Sequence, residues 1–428
     1  MRFSGPPTGD QYPHGVPSSD PSEPTTSIGG ARRGRHSHPR RGLRRSVGRV
    51  VQFLAGLLSL TVLLGFGYGW YEYRSLNAGL HRVHLSNLAQ ATTPKPTPGS
   101  HHVDGVEQNI LVVGMDSRAG LSRAEERLLS VGSDVSLSTD TIMIIHVPAD
   151  GSKATLISIP RDSYVDIPGY LKNKINAAYA DAVTYTSGST SQKQAAGMNE
   201  LVATIHELTG LSINHYVQVG FGGFYTIAKA IHGIPVDLCQ ATDDTIAHNI
   251  AEGNGQVGSN FKMSAGEHDL TPVQALEFVR QRHNLKGGDL GREARQRYFI
   301  KAAFAKVETA GVLLNPSELS SLINAVTGAF VVDDGFSILD LANQMSDLSA
   351  GNIVGYTIPT EGTQNVSIDG QLENVEIVDP AKVRAAVAAE IAGHQAAKAS
   401  PHPSSSTPAP STASTSAASK PANPGCIN

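Results

Sequence analysis

Cysteine is nearly absent from this 428-residue sequence, with two residues only, and tryptophan is rarer still, with one. Cys239 and Cys426 are too few for a disulfide scaffold and too far apart for a CxxC metal or redox pair. One bridge between them is open to a chain in an oxidising compartment. Cys426 falls in a tail of disordered composition, however, which argues against that bridge, and the sequence leaves the pairing undecided. The formal net charge is −4, and beyond the N-terminal region no basic stripe marks a nucleic-acid footprint. There is no Walker lysine loop and no GxSxG elbow, and His206-Glu207 lacks the second histidine of a zinc helix. Gly253-Asn254-Gly255-Gln256-Val257-Gly258 fits GxGxxG, but it follows polar sequence and opens no helix, so it reads as a glycine-rich loop.

Long apolar runs are also scarce, and the one present is informative. Val50 to Trp70 carries no charge, and its most polar residue is Gln52. The run is about 21 residues, or roughly 31 Å of helix, enough to cross a bilayer core. Arg32, Arg33, Arg35, Arg40, Arg41, Arg44, Arg45 and Arg49 precede it, whereas only Arg74 and Arg82 follow nearby. The positive-inside rule then places the N-terminus in the cytoplasm and the remainder outside. Ala89-Gln90-Ala91 looks like a cleavage site, but it lies about twenty residues past a run that already exceeds the usual ~7–15-residue signal core. The expectation is an uncleaved single-pass anchor in the cell membrane.

The chain divides accordingly. Residues 1–49 read as a disordered basic cytoplasmic tail, 50–70 as the transmembrane helix, and 71–102 as a juxtamembrane stem ending in a proline-rich spacer. Residues 103–395 form one extracytoplasmic domain, and 396–428 a disordered Ser/Thr/Ala/Pro-rich tail. Within the domain, short β-branched runs alternate with helical patterns, the α/β signature. Strands are expected at Ile110–Val113, His215–Val219, Ile234–Leu238 and Ile353–Ile358, with a hairpin of Thr141–Val147 and Lys153–Ile159 around Ala149-Asp150-Gly151. Helices are expected at Met198–Leu208, Phe224–Ile231, Leu290–Glu308, Pro316–Thr327, Ile338–Asp347 and from Pro380. Thr271-Pro272-Val273-Gln274 opens another, with Thr271 as N-cap and Gln274 closing a capping box. Residues 118–137 and 184–196 read as loop-like insertions.

Chemistry-bearing residues gather at the ends of these elements. The first strand runs into Asp116-Ser117-Arg118, the second is entered through Ser138-Thr139-Asp140, and the third exits into Pro160-Arg161-Asp162. A helix ends in Arg280-Gln281-Arg282-His283, and the next carries Arg292, Arg295, Gln296 and Phe299 on one face. In an open α/β sheet such ends converge on one crevice. Carboxylates beside hydroxyls suit a hard cation such as Mg²⁺, and guanidinium forks bind phosphate bidentately. For any single arginine here an ordinary surface ion pair is the better reading. The set as a whole points to phosphate binding, because Arg161 leaves a buried-looking strand and Arg280 follows an apolar helix face.

At these residues the chain resembles the LytR-CpsA-Psr family of cell-envelope phosphotransferases. The motifs are Asn109–Arg118 (NILVVGMDSR), Ser138–Ile145 (STDTIMII), Ser158–Gly169 (SIPRDSYVDIPG), Lys174–Ala180 (KINAAYA), Leu270–His283 (LTPVQALEFVRQRH) and Asp289–Phe299 (DLGREARQRYF). The resemblance implies a three-layer α/β/α sandwich with a central mixed sheet, held on a single N-terminal transmembrane helix. It also implies transfer of a glycopolymer from a polyprenyl-pyrophosphate-linked donor to a peptidoglycan acceptor, forming a phosphodiester. Carried over by motif, Asp116 and Asp140 become catalytic carboxylates that hold Mg²⁺ or Mn²⁺. Arg161, Arg280, Arg282 and Arg292 become the pyrophosphate clamp, with Arg118, Lys174 and Gln296 as supporting groups. The lipid would need an apolar groove, for which the Met198–Leu208 and Phe224–Ile231 helices offer candidate residues. Two other readings use the same residues: a polyprenyl-pyrophosphate hydrolase, and a non-catalytic polyprenyl-lipid-binding assembly protein.

Overall fold

The computed structural model describes residues 80–89, 106–399 and 425–428, with breaks at 119–120, 130–136, 152, 246–257, 284, 286–287, 311–315 and 346–347. The apolar run at 50–70, the arginine-rich tail and most of the GxGxxG-like stretch lie outside the described residues. No helix among the described residues is long and apolar enough to cross a membrane. All described residues belong to one compact unit, Gly67–Asn428.

Seven strands form the central sheet: β1 (His81–Val83), β2 (Gln108–Met115), β3 (Thr139–Val147), β4 (Ala154–Ser158), β5 (His215–Val219), β6 (Phe330–Asp333) and β7 (Ile353–Thr357). Their spatial order is β1-β6-β5-β2-β3-β4-β7. The sheet is mixed: β2–β3, β3–β4 and β5–β6 pair antiparallel, whereas β1–β6, β2–β5 and β4–β7 pair parallel. The helices are α1 (Arg123–Leu128), α2 (Ala177–Tyr185), α3 (Thr190–Thr209), α4 (Phe221–Ala230), α5 (Pro272–Arg280), α6 (Asp289–Thr309), α7 (Pro316–Val326), α8 (Ile338–Gln344) and α9 (Pro380–Ala399).

The central stretches of β2 and β3, Ile110–Val113 and Ile142–Ile145, are apolar on both faces because both faces are covered. Leu111, Val113, Ile142 and Ile144 pack with Met198, Ile205 and Val383, so α2, α3 and α9 cover one face. Ile110 and Met143 point the other way, toward the side on which α4, α5 and α6 build a separate core around Leu276, Phe278 and Phe299. The result is the expected three layers.

Four expectations are corrected. The 184–196 insertion is helical from Thr190, capped by a Ser189/Gln192 box. Its first turns are too polar to show a helical period, although the capping pair is legible in the sequence. The 118–137 insertion likewise contains α1, capped by Ser122 and Glu125. The 71–102 stem overlaps the fold, since β1 pairs with β6 and both Leu80 and Leu85 are buried. A three-residue edge strand is too short for alternation to reveal. Finally, Gly425–Asn428 of the presumed disordered tail is docked: Cys239 and Cys426 form a disulfide, and Ile427 pairs alongside Leu238. A covalent tether orders a segment whose composition alone would not.

A hairpin absent from the expectations, Thr363–Ile368 with Gln371–Ile377, joins Ser163–Val165 in a second sheet. Its Asp369-Gly370 turn has both φ angles positive, at 49° and 80°, the backbone that an Asp-Gly hairpin turn supplies.

Candidate functional site

The two aspartates meet because β2 leaves the sheet where β3 enters it. Met115 aligns with Thr139, and the register shifts between Gly114 and Met115, which re-aims the residues that follow. Gly114 permits the close approach: a Cβ there would lie 2.8 Å from the Thr141 Cβ. Asp116 accepts from Arg118 Nη2 through both oxygens at 3.2 Å. Burial, with the Asp140 charge nearby, raises the Asp116 carboxyl above its ordinary value against the pull of Arg118. Asp140 forms a tight ion pair with Arg161, which leaves the end of β4.

The capping box Thr271/Gln274, with Pro272 in the first turn, starts α5 as expected, and Leu276, Phe278 and Val279 fasten it to the core. Its last residue, Arg280, is thereby held beneath the sheet end. There it donates to the Leu129 carbonyl at 3.1 Å and lies 4.9 Å from the Phe221 ring. Burial lowers its guanidinium, as it lowers that of Arg292 on α6. In Arg161 burial acts in the same direction, but Asp140, Asp289 and Asp162 outweigh it and raise the group.

Asp289, the first residue of α6, joins three of these arginines. Its Oδ1 accepts from Arg282 Nε at 3.0 Å and lies 3.4 Å from Arg292 Nη1, while Oδ2 accepts from Arg161 Nε at 3.2 Å. Although burial opposes it, the three guanidiniums hold the carboxyl down at about 2. The sequence reading quoted Asp289 within a motif without giving it a role. Its place at a helix start, where a carboxylate complements the dipole, and three to seven residues from two arginines, was the available signal.

Between the sheet and α4–α6 runs a cavity of about 660 Å³. Its depth is apolar, with Val112, Met143, Val217, Phe224, Ile227 and Phe304 among the walls, and its mouth carries Asp116, Arg118, Asp140, Arg280, Arg282, Arg292 and Gln296. Four arginines and two aspartates leave two positive charges in excess at the lining. Arg118 Nε and Nη1, Arg292 Nε and Gln296 Oε1 are buried with no hydrogen-bond partner among the described residues. Buried polar atoms are ordinarily paired, so guanidinium nitrogens clustered in this way suit acceptor oxygens such as those of a phosphate.

Seven of the nine expected site residues thus share one cavity. Arg161 sits one contact behind it, through Asp140 and Asp289. Lys174 is elsewhere, paired with Glu373 at 2.9 Å and Asp162 at 3.4 Å beside the second sheet. Arg295 departs from the predicted face: it is almost fully buried and donates to Gln281 and Asn428. Three residues apart on α6, Arg292 and Arg295 lie about 60° apart around the helix axis, so Arg295 stands at the edge of the cavity-facing stripe, against Phe261 and Phe278. Of the two helices proposed for the groove, α4 lines it through Phe224 and Ile227, but α3 belongs to the opposite layer.

Among the described residues no group of three or more His, Cys, Asp or Glu side chains is arranged to hold a metal. Asp116 and Asp140 alone fit the ligation of Mg²⁺, which takes one or two carboxylates and completes its shell with water and phosphate oxygens. Burial and, to a smaller extent, the neighbouring Asp140 charge raise the Asp116 carboxyl against the pull of Arg118, and a bound cation would offset both.

The LytR_cpsA_psr family profile matches residues 83–382, and the chain belongs to that family. The cell wall biosynthesis protein LcpA of Corynebacterium glutamicum is 38% identical over 279 residues, covering 61% of this chain and 51% of LcpA. TagU of Oceanobacillus iheyensis, a polyisoprenyl-teichoic acid–peptidoglycan teichoic acid transferase, is 32% identical over 273 residues, 61% of this chain and 73% of TagU. The chain spans about half the length of LcpA, as the 51% coverage shows. The crystal structure of B. subtilis TagV shares the fold, with a TM-score of 0.50 at 20% identity, covering 67% of this chain and 96% of TagV.

Proposed function

We propose that this chain is a phosphotransferase that moves a glycopolymer from a polyprenyl-pyrophosphate carrier to peptidoglycan, in keeping with its relative TagU, a polyisoprenyl-teichoic acid–peptidoglycan teichoic acid transferase. One observation carries the reading: an apolar cavity of about 660 Å³ opens at a mouth with two excess positive charges and unpaired guanidinium nitrogens. A prenyl chain suits the depth, and the two charges of a pyrophosphate diester suit the mouth.

In this reading Arg118, Arg280 and Arg292 grip the pyrophosphate oxygens, and Arg282 covers the exposed rim. Arg161 fixes Asp140, while Asp289 keeps Arg161, Arg282 and Arg292 from spreading apart. A peptidoglycan hydroxyl oxygen attacks the glycan-proximal phosphorus, forming a new P–O bond. The P–O bond to the bridging oxygen breaks, and polyprenyl phosphate departs with that oxygen. An aspartate of the Asp116/Asp140 pair accepts the hydroxyl proton. The guanidiniums stabilise the charge that grows on the equatorial oxygens and the leaving group. Asp116 and Asp140 would hold Mg²⁺, which when bound supplies further neutralisation of phosphate charge. The Val50–Trp70 run, as a single-pass anchor, would keep the domain at the outer surface of the cell membrane where the lipid donor resides.

The test combines purified full-length chain, a lipid-pyrophosphate glycan and a peptidoglycan acceptor. Linked product is expected, falling about 100-fold in Arg280→Ala, as for loss of one transition-state donor. Equal release of glycan with and without acceptor would replace transfer by hydrolysis. Undiminished transfer by Arg280→Ala would overturn the site.

A further inference from the structure

Helix α6 serves two masters. One face gives Arg292 and Gln296 to the cavity, while Arg295 turns into the protein. The Arg295 guanidinium lies 4.6 Å from the Phe278 ring centre and 5.4 Å from that of Phe261. Its Nη1 donates to Gln281 Oε1 at 2.6 Å, and its Nε donates to the Asn428 carbonyl at 3.0 Å. Gln281 is fully buried and stands in the chain between Arg280 and Arg282. Its amide nitrogen donates onward to Thr242 Oγ1 and to the His283 carbonyl, so the short segment carrying both arginines is fixed on either side.

The far end of this chain of contacts is Gly425–Asn428. Ile427 N–H donates to the Asp237 carbonyl at 2.8 Å, and Cys239 N–H donates to the Ile427 carbonyl at 3.0 Å. The Cys239–Cys426 disulfide secures the same place covalently. The two backbone hydrogen bonds contribute about 1 kcal/mol net each, and the half-buried Ile427 side chain packs on the apolar core. Set against them is roughly 1–2 kcal/mol of ordering entropy for each of four residues. The disulfide therefore decides whether the segment stays. If it leaves, Arg295 keeps a buried N–H without its acceptor and the Gln281 contact loosens with it.

We propose that Gly425–Asn428, fastened by the Cys239–Cys426 disulfide, is a strut that holds Arg295 and Gln281 as positioning residues for Arg280 and Arg282, so that the grip on the pyrophosphate depends on the oxidised cysteine pair. This deepens the lipid-pyrophosphate reading and rests on it. The strut's hydrogen bonds reach the mouth through Arg295 and Gln281, while Ile427 only flanks the apolar core behind the walls. Loss of the strut therefore weakens headgroup recognition and spares the lipid chain.

Full-length protein in detergent, oxidised or treated with a phosphine reductant, is titrated calorimetrically with geranylgeranyl pyrophosphate and separately with geranylgeraniol. Reduction, Cys426→Ser and Arg295→Lys are each expected to raise the Kd for the pyrophosphate about tenfold, the weight of one charge-assisted hydrogen bond, and to shift that for the alcohol less than about twofold. Unchanged pyrophosphate affinity after reduction overturns the strut. So does an equal loss for both ligands, which makes the segment a general stabiliser of the cavity. If oxidised wild-type protein binds the alcohol as tightly as the pyrophosphate, the headgroup reading itself fails, whatever reduction does.

Discussion

Replacing Asp289 with asparagine removes one negative charge from among three arginines and leaves the side-chain shape nearly unchanged. The contacts at 3.0, 3.2 and 3.4 Å are each worth about 5 kcal/mol gross at an effective dielectric near 20. Burial cancels most of that, because the carboxyl settles only from 3.8 to about 2. That difference corresponds to roughly 2.4 kcal/mol at 1.36 kcal/mol per unit, and partial solvent screening reduces it to about 1–2 kcal/mol. The lowered carboxyl stabilises the fold above pH 3.8, and its contribution fades as pH falls through about 2. Urea unfolding should therefore show Asp289→Asn less stable by about 1–2 kcal/mol at neutral pH, with the gap closing toward pH 2. Activity should split in a particular way. Without Asp289 the mouth is more positive, so affinity for a prenyl pyrophosphate is held or improved, while the unrestrained arginines lose their alignment and kcat falls about tenfold or more. Normal kcat with a tenfold weaker donor affinity would refute the restraining role, and a stability difference that persists unchanged at pH 2 would refute the charge argument.

Two further outcomes are expected. Glu293 is buried on α6 with its carboxyl pushed up to about 7, chiefly by burial, against an ordinary value of 4.5. Native protein thus binds the proton more tightly than unfolded chain, and wild-type stability falls as pH rises from 4.5 to about 7. Glu293→Gln should abolish that slope and be more stable at pH 8 by at most about 3 kcal/mol in urea unfolding. Ala303 lines the apolar depth, and Ala303→Trp should weaken geranylgeranyl pyrophosphate about 100-fold through ~3 kcal/mol of lost apolar burial while leaving inorganic pyrophosphate binding unchanged by calorimetry.

Much of the scaffold was legible because its signals are local. The Thr271-Pro272-x-Gln274 start of α5, the strands His215–Val219 and Ile234–Leu238, and the hairpin turning at Gly151 agree with the structure to within a residue or two. Site residues at strand and helix ends converged because sheet register brings those ends together. The misses share a different origin. Lys174 belongs to a two-residue strand paired with the nearby Tyr164–Val165, but Glu373, which holds its ammonium, is 199 residues away in the chain. Arg295 shares a helical stripe with the cavity residues, but Phe261 and Phe278 draw it inward. The order of Gly425–Asn428 depends on a pairing across 187 residues that composition cannot show.

The alternation of β2 and β3 has a consequence for how the protein tolerates change. Ile110, Val112, Met143 and Ile145 face the cavity, whereas their neighbours Leu111, Val113, Ile142 and Ile144 are sealed against the opposite layer. The sealed residues answer to packing volume, and the cavity residues answer to whatever chain the cavity admits. Neighbouring positions on one strand are therefore under separate demands, one structural and one chemical. A substitution scan along these strands would alternate in character at every step, and the register of the sheet would be audible as a two-residue beat in ligand preference.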